Sequence, residues 1–74
     1  MKIEVKLFAY FRHGRFIKEF LVYPEKTTTG QVIENLSINS DEVGVTLING
    51  RHCLLDTELV ENDSLGIFPM IGGG

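Results

Sequence analysis

The chemistry this chain can offer is concentrated in its last seven residues, Phe68-Pro69-Met70-Ile71-Gly72-Gly73-Gly74. An apolar strand end runs into three glycines. Glycine makes up about 7% of average sequences, so a terminal run of three is not a matter of composition. Glycine has no Cβ and loses the most entropy on ordering, so the run packs nothing. It suits threading instead. Bare backbone fits a narrow channel on a partner and presents the Gly74 carboxylate inside it. The competing reading is an inert, frayed terminus or an expression scar.

No other group competes with that carboxylate. Cys53 is the single cysteine, so no internal disulfide forms, and cysteine-rich zinc sites and cysteine-ligated iron–sulfur clusters are excluded. It sits between His52 and Leu54 and reads as a buried or idle thiol. His13 and His52 have no partner at metal-ligand spacing, so no metal site is expected. No nucleophile, base and orienting group recur at a recognisable spacing, and no Gly-Lys-Ser/Thr loop is present to hold ATP. An independent enzyme is therefore not expected. The formal net charge of -3 argues against nucleic acid as a partner. No apolar run approaches the ~18 residues of a membrane span, and Met1-Lys2 leads into alternating residues rather than a signal-peptide core. These absences point to a reducing, cytoplasmic setting.

The elements that must position the tail follow from the patterning. Seventy-four residues make one small domain, expected over 1–71, with 72–74 as a flexible tail. Ile3, Val5 and Leu7 alternate with Lys2, Glu4 and Lys6, a strand with one buried face. Phe8 to Phe11 is apolar, and Arg12-His13-Gly14-Arg15 makes a polar turn. Phe16 to Tyr23 resumes β composition until Pro24, giving an antiparallel hairpin. Thr28 with Gln31 three residues on is a capping box. A short helix follows, with Val32, Ile33 and Leu36 on one side. Ser37 to Glu42 is a polar connection with Ile38 as its apolar anchor. Val43 to Ile48 is the next strand. Asn49-Gly50 turns it into a short return strand over Arg51 to Leu55. Asp56 to Leu59 and Glu61 to Ser64 are turns, and Leu65 to Phe68 is the last strand. The order predicts an α+β fold: a mixed four- to five-stranded sheet with one main helix across one face. The first and last strands are central and parallel, which is the ubiquitin-like β-grasp arrangement.

Several stretches together resemble a known family. They are Val5-Lys6-Leu7-Phe8-Ala9-Tyr10-Phe11-Arg12, the helix start Thr28 to Leu36, Leu47-Ile48-Asn49-Gly50, Leu55-Asp56-Thr57-Glu58-Leu59, and Asp63 through Gly74. In these the chain is similar to the MoaD/ThiS sulfur carriers, which include the small subunit of molybdopterin synthase and the thiamine sulfur carrier. The Phe68-Pro69 pair shortly before a terminal Gly-Gly resembles the molybdopterin branch. The chain departs from the family at Glu61-Asn62-Asp63, where Asp-Gly-Asp is usual, and at Met70, where a second proline is common. Asn62 tolerates the positive φ such a turn needs.

The resemblance implies a carrier without catalysis of its own. Gly74 would be the reacting residue, first as an acyl-adenylate and then as a thiocarboxylate, with Gly72, Gly73 and Gly74 threading a partner's channel. No tightly bound cofactor is implied. ATP is consumed by a ubiquitin-activating-type (MoeB/ThiF-like) adenylyltransferase, and sulfur comes from a sulfurtransferase or cysteine desulfurase. A molybdopterin synthase large subunit is a further expected partner. Docking would use Phe68, Met70 and Leu47, an apolar patch on the outer face of the sheet. Arg12, Arg15 and Arg51 read as solvated surface in preference to contacts for acidic partners, and Glu58, Glu61 and Asp63 as an acidic cluster that steers a basic partner toward the tail or keeps the surface soluble. Two other functions fit the same tail: a ubiquitin-like modifier joined through Gly74 to lysines, and a bare interaction domain with an inert end. Carriage of sulfur for thiamine or another metabolite also fits.

Overall fold

The structure, a computed structural model, describes residues 1–70. The expected boundary at 71 and the tail 72–74 lie outside them. Five strands and one helix follow in order: β1 (Lys2–Leu7), β2 (Lys18–Val22), α1 (Thr29–Asn35), β3 (Val43–Ile48), β4 (Arg51–His52) and β5 (Ser64–Pro69). The sheet order is β2-β1-β5-β3-β4. β1 and β5 pair in parallel at its centre, with Val5 opposite Leu65 and Leu7 opposite Ile67. The other pairings are antiparallel.

The period-two pattern decides which face is buried. Ile3, Val5 and Leu7 of β1 and Leu65 and Ile67 of β5 are fully buried, packed with Val32 and Ile33 of α1 and with Ile38 and Leu59. Of the alternating positions, Lys2, Lys6 and Phe68 face away from the helix and stay at least partly exposed. Leu21 of β2 and Tyr23 just after it turn inward, while Phe20 and Val22 are left outside.

A helix of seven residues is marginal alone, so its first turn must be held from outside. Thr28 Oγ1 accepts from the Gln31 N–H at 3.2 Å, and the Thr28 N–H donates back to Gln31 Oε1 at 2.8 Å. The Thr29 and Gly30 N–H groups donate to the carbonyls of Thr57 and Leu55 at 3.0 and 2.7 Å. The donors that α1 cannot satisfy internally are thus used to tie the 54–59 segment to the helix.

That tie explains one difference from the sequence expectation. The return strand after Asn49-Gly50 stops at His52 instead of reaching Leu55. Thr46 Oγ1 donates to the Cys53 carbonyl at 2.9 Å, and the chain then leaves the sheet to meet the helix start. β2 likewise begins at Lys18, two residues later than Phe16. Pro69 belongs to β5 rather than ending it. The β1 pairing stops at Leu7–Ile67, so the missing N–H of Pro69 breaks no ladder bond on that side.

Two asparagines carry positive φ at tight turns, Asn49 at 52° and Asn62 at 70°. Asn49 also locks the two turns together, donating from Nδ2 to Asp63 Oδ1 and accepting from the Ser64 N–H, each at 2.9 Å. On the outer face Ser64 Oγ donates to Glu4 Oε1 at 2.7 Å, a tie between the two central strands.

Two outcomes follow. Thr28→Ala is expected to lower stability by about 1 kcal/mol, read from a denaturant midpoint that falls at unchanged m. The Ser64 hydroxyl, with help from Lys6 and Lys18, holds the Glu4 carboxyl below its ordinary value of 4.5. A depressed carboxyl stabilises the fold above the unfolded value and loses that contribution as pH falls through the folded one. Ser64→Ala should therefore move the Glu4 midpoint upward in a carboxyl-detected NMR titration.

Candidate functional site

The site begins where β5 ends. Alternation sends Ile67 into the core and Phe68 to the outer face. Phe8, the residue after β1, donates its N–H to the Ile67 carbonyl at 3.3 Å, which sets the two aromatic side chains side by side. Their rings stack with centroids 3.9 Å apart and planes 7° from parallel. The Arg12 guanidinium lies 5.3 Å from the Phe8 ring centroid, and Arg12 Nε donates to the Leu7 carbonyl at 2.6 Å. The side-chain bond fixes the arginine over the ring, where the attraction of cation for π face adds to it.

Beside this stack lies a shallow groove of about 130 Å³ lined by Lys6, Phe8, Leu47, Ser64, Gly66 and Phe68. Gly66 stands opposite Leu47 in the β3–β5 register. A Cβ at Gly66 would meet the Phe68 and Phe8 rings at 3.5 Å, ordinary contact distance, so a larger side chain there would fill the groove. Ligand pockets run to roughly 300–1,000 Å³, so this one fits a single partner side chain better than a nucleotide. A larger concavity of about 490 Å³ lies on the helix side, lined by Thr28, Gly30, Gln31, Ile33, Leu55 and Asp56 among others. It opens on the helix side and shares no residue with the groove.

Of the residues expected at an interface, Phe68 and Leu47 come together in the groove, and Met70 lies beyond them at 58% exposure. Gly72, Gly73 and Gly74 fall outside the described residues. Phe8, Gly66 and Arg12 are additions. The stack joins positions 60 apart in sequence, so no local spacing announces it.

The charged residues need correction. Asp63 is buried at 7% exposure and accepts from the Val60 N–H at 2.8 Å as well as from Asn49. Glu61 accepts from the Lys2 N–H at 3.2 Å. The acidic cluster is thus largely used in holding turns. Arg15 is not merely solvated: it donates to the carbonyls of Phe11, Leu36 and Ser37 at 3.0 to 3.1 Å and closes the C-terminal end of α1. Cys53 is half-buried, with Sγ 3.4 Å from Thr46 Oγ1. Among the described residues no three of His, Cys, Asp and Glu gather as metal ligands, and no helix is long and apolar enough to cross a membrane.

Comparison with known proteins follows the same lines. The ThiS family model matches residues 5–74. No curated protein sequence matches. Among solved structures, the chain is similar to one assigned as molybdopterin converting factor subunit 1 from Pyrococcus furiosus. The two share 28% identity over 96% of this chain and 99% of that one, with a TM-score of 0.77. It shares its fold with small archaeal modifier protein 1 of Haloferax volcanii, at 21% identity over 95% and 98% of the chains and a TM-score of 0.76. It also shares it with a chain of the complex of subunits 1 and 2 of molybdopterin-converting factor from Helicobacter pylori, at 17% identity over the full length of both and a TM-score of 0.67. This chain belongs to the ThiS family and is a protein of the ThiS/MoaD type, built on a ubiquitin-like β-grasp fold.

Proposed function

We propose that this chain carries sulfur as a thiocarboxylate on Gly74 for the synthesis of a molybdopterin-type (molybdenum or tungsten) cofactor. The observation that carries the reading is the likeness, over nearly the whole of both chains, to the Pyrococcus furiosus molybdopterin converting factor subunit, joined to a sequence that ends Phe-Pro-Met-Ile-Gly-Gly-Gly.

The chemistry runs in two stages. A free carboxylate is a poor electrophile because its leaving group would be hydroxide or oxide. Attack of the Gly74 carboxylate on the α-phosphate of ATP forms an acyl-adenylate and releases pyrophosphate. A persulfide sulfur on the donor then attacks the carbonyl carbon and displaces AMP, giving an acyl disulfide. A thiol of the partner attacks the donor-side sulfur of that S–S bond, so that a disulfide forms on the partner and the thiocarboxylate is released on Gly74. The adenylate hydrolyses in water, so the partner has to enclose it. Glycines without side chains permit entry to such an enclosure, and the entropy lost on ordering them keeps binding reversible.

ATP is therefore consumed by a MoeB/ThiF-like adenylyltransferase, with a sulfurtransferase or cysteine desulfurase as the sulfur source. The catalytic groups belong to these partners and to a synthase large subunit, which would receive the tail. A cytoplasmic setting is part of the same reading, since the activating step draws on ATP. Phe68, Leu47 and Met70 are the docking residues, with Phe8 stiffening Phe68. A second reading is favoured by the shared fold with small archaeal modifier protein 1: Gly74 joined to lysines of target proteins after the same activation.

Intact mass of the protein from its native host decides between them. A fraction heavier by the exchange of one oxygen for sulfur, mapped to the C-terminal peptide, supports the carrier. Covalent adducts with other proteins support the modifier. An unmodified mass, with no adenylate formed when ATP and the host's activating enzyme are supplied, refutes both. Deleting Gly73 and Gly74 should abolish adenylation while leaving the thermal midpoint within a degree or two. Phe68→Ala, and Gly66→Leu by filling the groove, should each weaken binding to the activating enzyme by about tenfold or more, measured by calorimetric titration.

A further inference from the structure

Gly44 is an exposed residue inside a strand, where glycine is less favourable than alanine because it loses more backbone entropy on ordering. Its own φ does not lie in the left-handed region, so backbone conformation does not demand it. The demand comes from a neighbour. A Cβ at Gly44 would lie 2.9 Å from Met70 Cα, 3.0 Å from the Pro69 carbonyl oxygen and 3.1 Å from Met70 N. All three are backbone atoms, so no side chain can swing away to make room. The register shifts between Val43 and Val45, which face Pro69 and Phe68, leaving Gly44 as the extra residue of a bulge. Two residues before Gly44, the Glu42 carbonyl accepts from the Met70 N–H at 2.7 Å.

From these contacts we infer that Gly44 is a positioning residue. It lets the chain leaving β5 lie flush on the β3 bulge, and so fixes the point and direction from which the terminal residues reach a partner. The inference rests on the proposed use of Gly74. Three features hold the exit together: the buried Pro69 ring, the Met70–Glu42 bond and the missing Cβ at Gly44. Only the last can be changed without touching the exit itself. Adding one methyl at Gly44 must push Met70 off the bulge and break or lengthen its bond to Glu42. The aromatic stack and groove, one pleat earlier, stay in place. Docking and delivery are thereby separable: the partner is met by Phe68 and Leu47, and the tail is aimed by Gly44.

The test is Gly44→Ala, with Thr28→Ala as a control of comparable destabilisation at a distant site. NMR of the unaltered protein should show an Hα–Hα contact between Gly44 and Met70 and a slowly exchanging Met70 amide. In Gly44→Ala the Met70 amide should exchange faster while core amides keep their protection. In adenylation by the host's activating enzyme, KM for the variant should stay within about twofold and kcat should fall by about tenfold, the kind of loss expected from misplacing a reacting group by an ångström or so. Thr28→Ala should leave kcat unchanged.

Absence of the Gly44–Met70 contact in the unaltered protein would overturn the inference whether or not the alanine variant folds. So would an alanine variant with a freed Met70 amide and an undiminished kcat, or an equal loss of kcat in the Thr28 control. If the unaltered protein is never adenylated, the carrier and modifier readings fall together, while the NMR contact still reports on the exit.

Discussion

The register of β5 between β1 and β3 is the constraint on which the other features depend. With Leu7 opposite Ile67 and Thr46 opposite Ile67 on the other side, the core receives Leu65 and Ile67 and the outer face receives Gly66 and Phe68. A slip of one residue would invert this, sending Phe68 inward and Ile67 into water. The groove, the ring stack and the course of the chain past Gly44 all follow from that alignment. The polar ties at the opposite end of the strand protect it: Asn49 bridges Asp63 and Ser64, and Ser64 reaches across to Glu4.

The two faces of the sheet do different work. The helix face is closed by burial, and the short helix is held there by the segment that follows β4. The open face carries a polar strip around Glu4, Lys6 and Lys18 beside the aromatic corner at Phe8 and Phe68. The ion pairs of that strip are long, 3.6 and 4.0 Å, and exposed pairs of this kind contribute little to stability.

Local signals made much of this legible. Alternation from Ile3 to Leu7, the Thr28–Gln31 box and Asn49-Gly50 each report a geometry set by neighbours in sequence, and the strand order follows from them. The family resemblance rests on the same stretches and on the glycine run. What the sequence conceals is set by long-range partners. Arg15 reads as surface until the end of α1 is brought to it. Asp63 reads as a free acid until two N–H groups converge on it. Gly44 reads as a weak point in a strand until Met70 crosses it. The early end of β4 depends on a threonine hydroxyl of β3 that no pairing rule anticipates.

Among the described residues, β5 is the strand that joins the two halves of the sheet, β2-β1 on one side and β3-β4 on the other. During synthesis those halves are made first and have no hydrogen-bonded strand between them until residues 64–69 emerge. Closing a loop of some sixty residues is slow relative to forming a hairpin. Until β5 docks, Ile3, Val5 and Leu7 lack the Leu65 and Ile67 neighbours with which they form the core. The same six residues that complete the sheet also carry Phe68 and the root of the tail. Completing the sheet and placing Phe68 beside Phe8 are thus one event: without β5 there is neither ring stack nor groove.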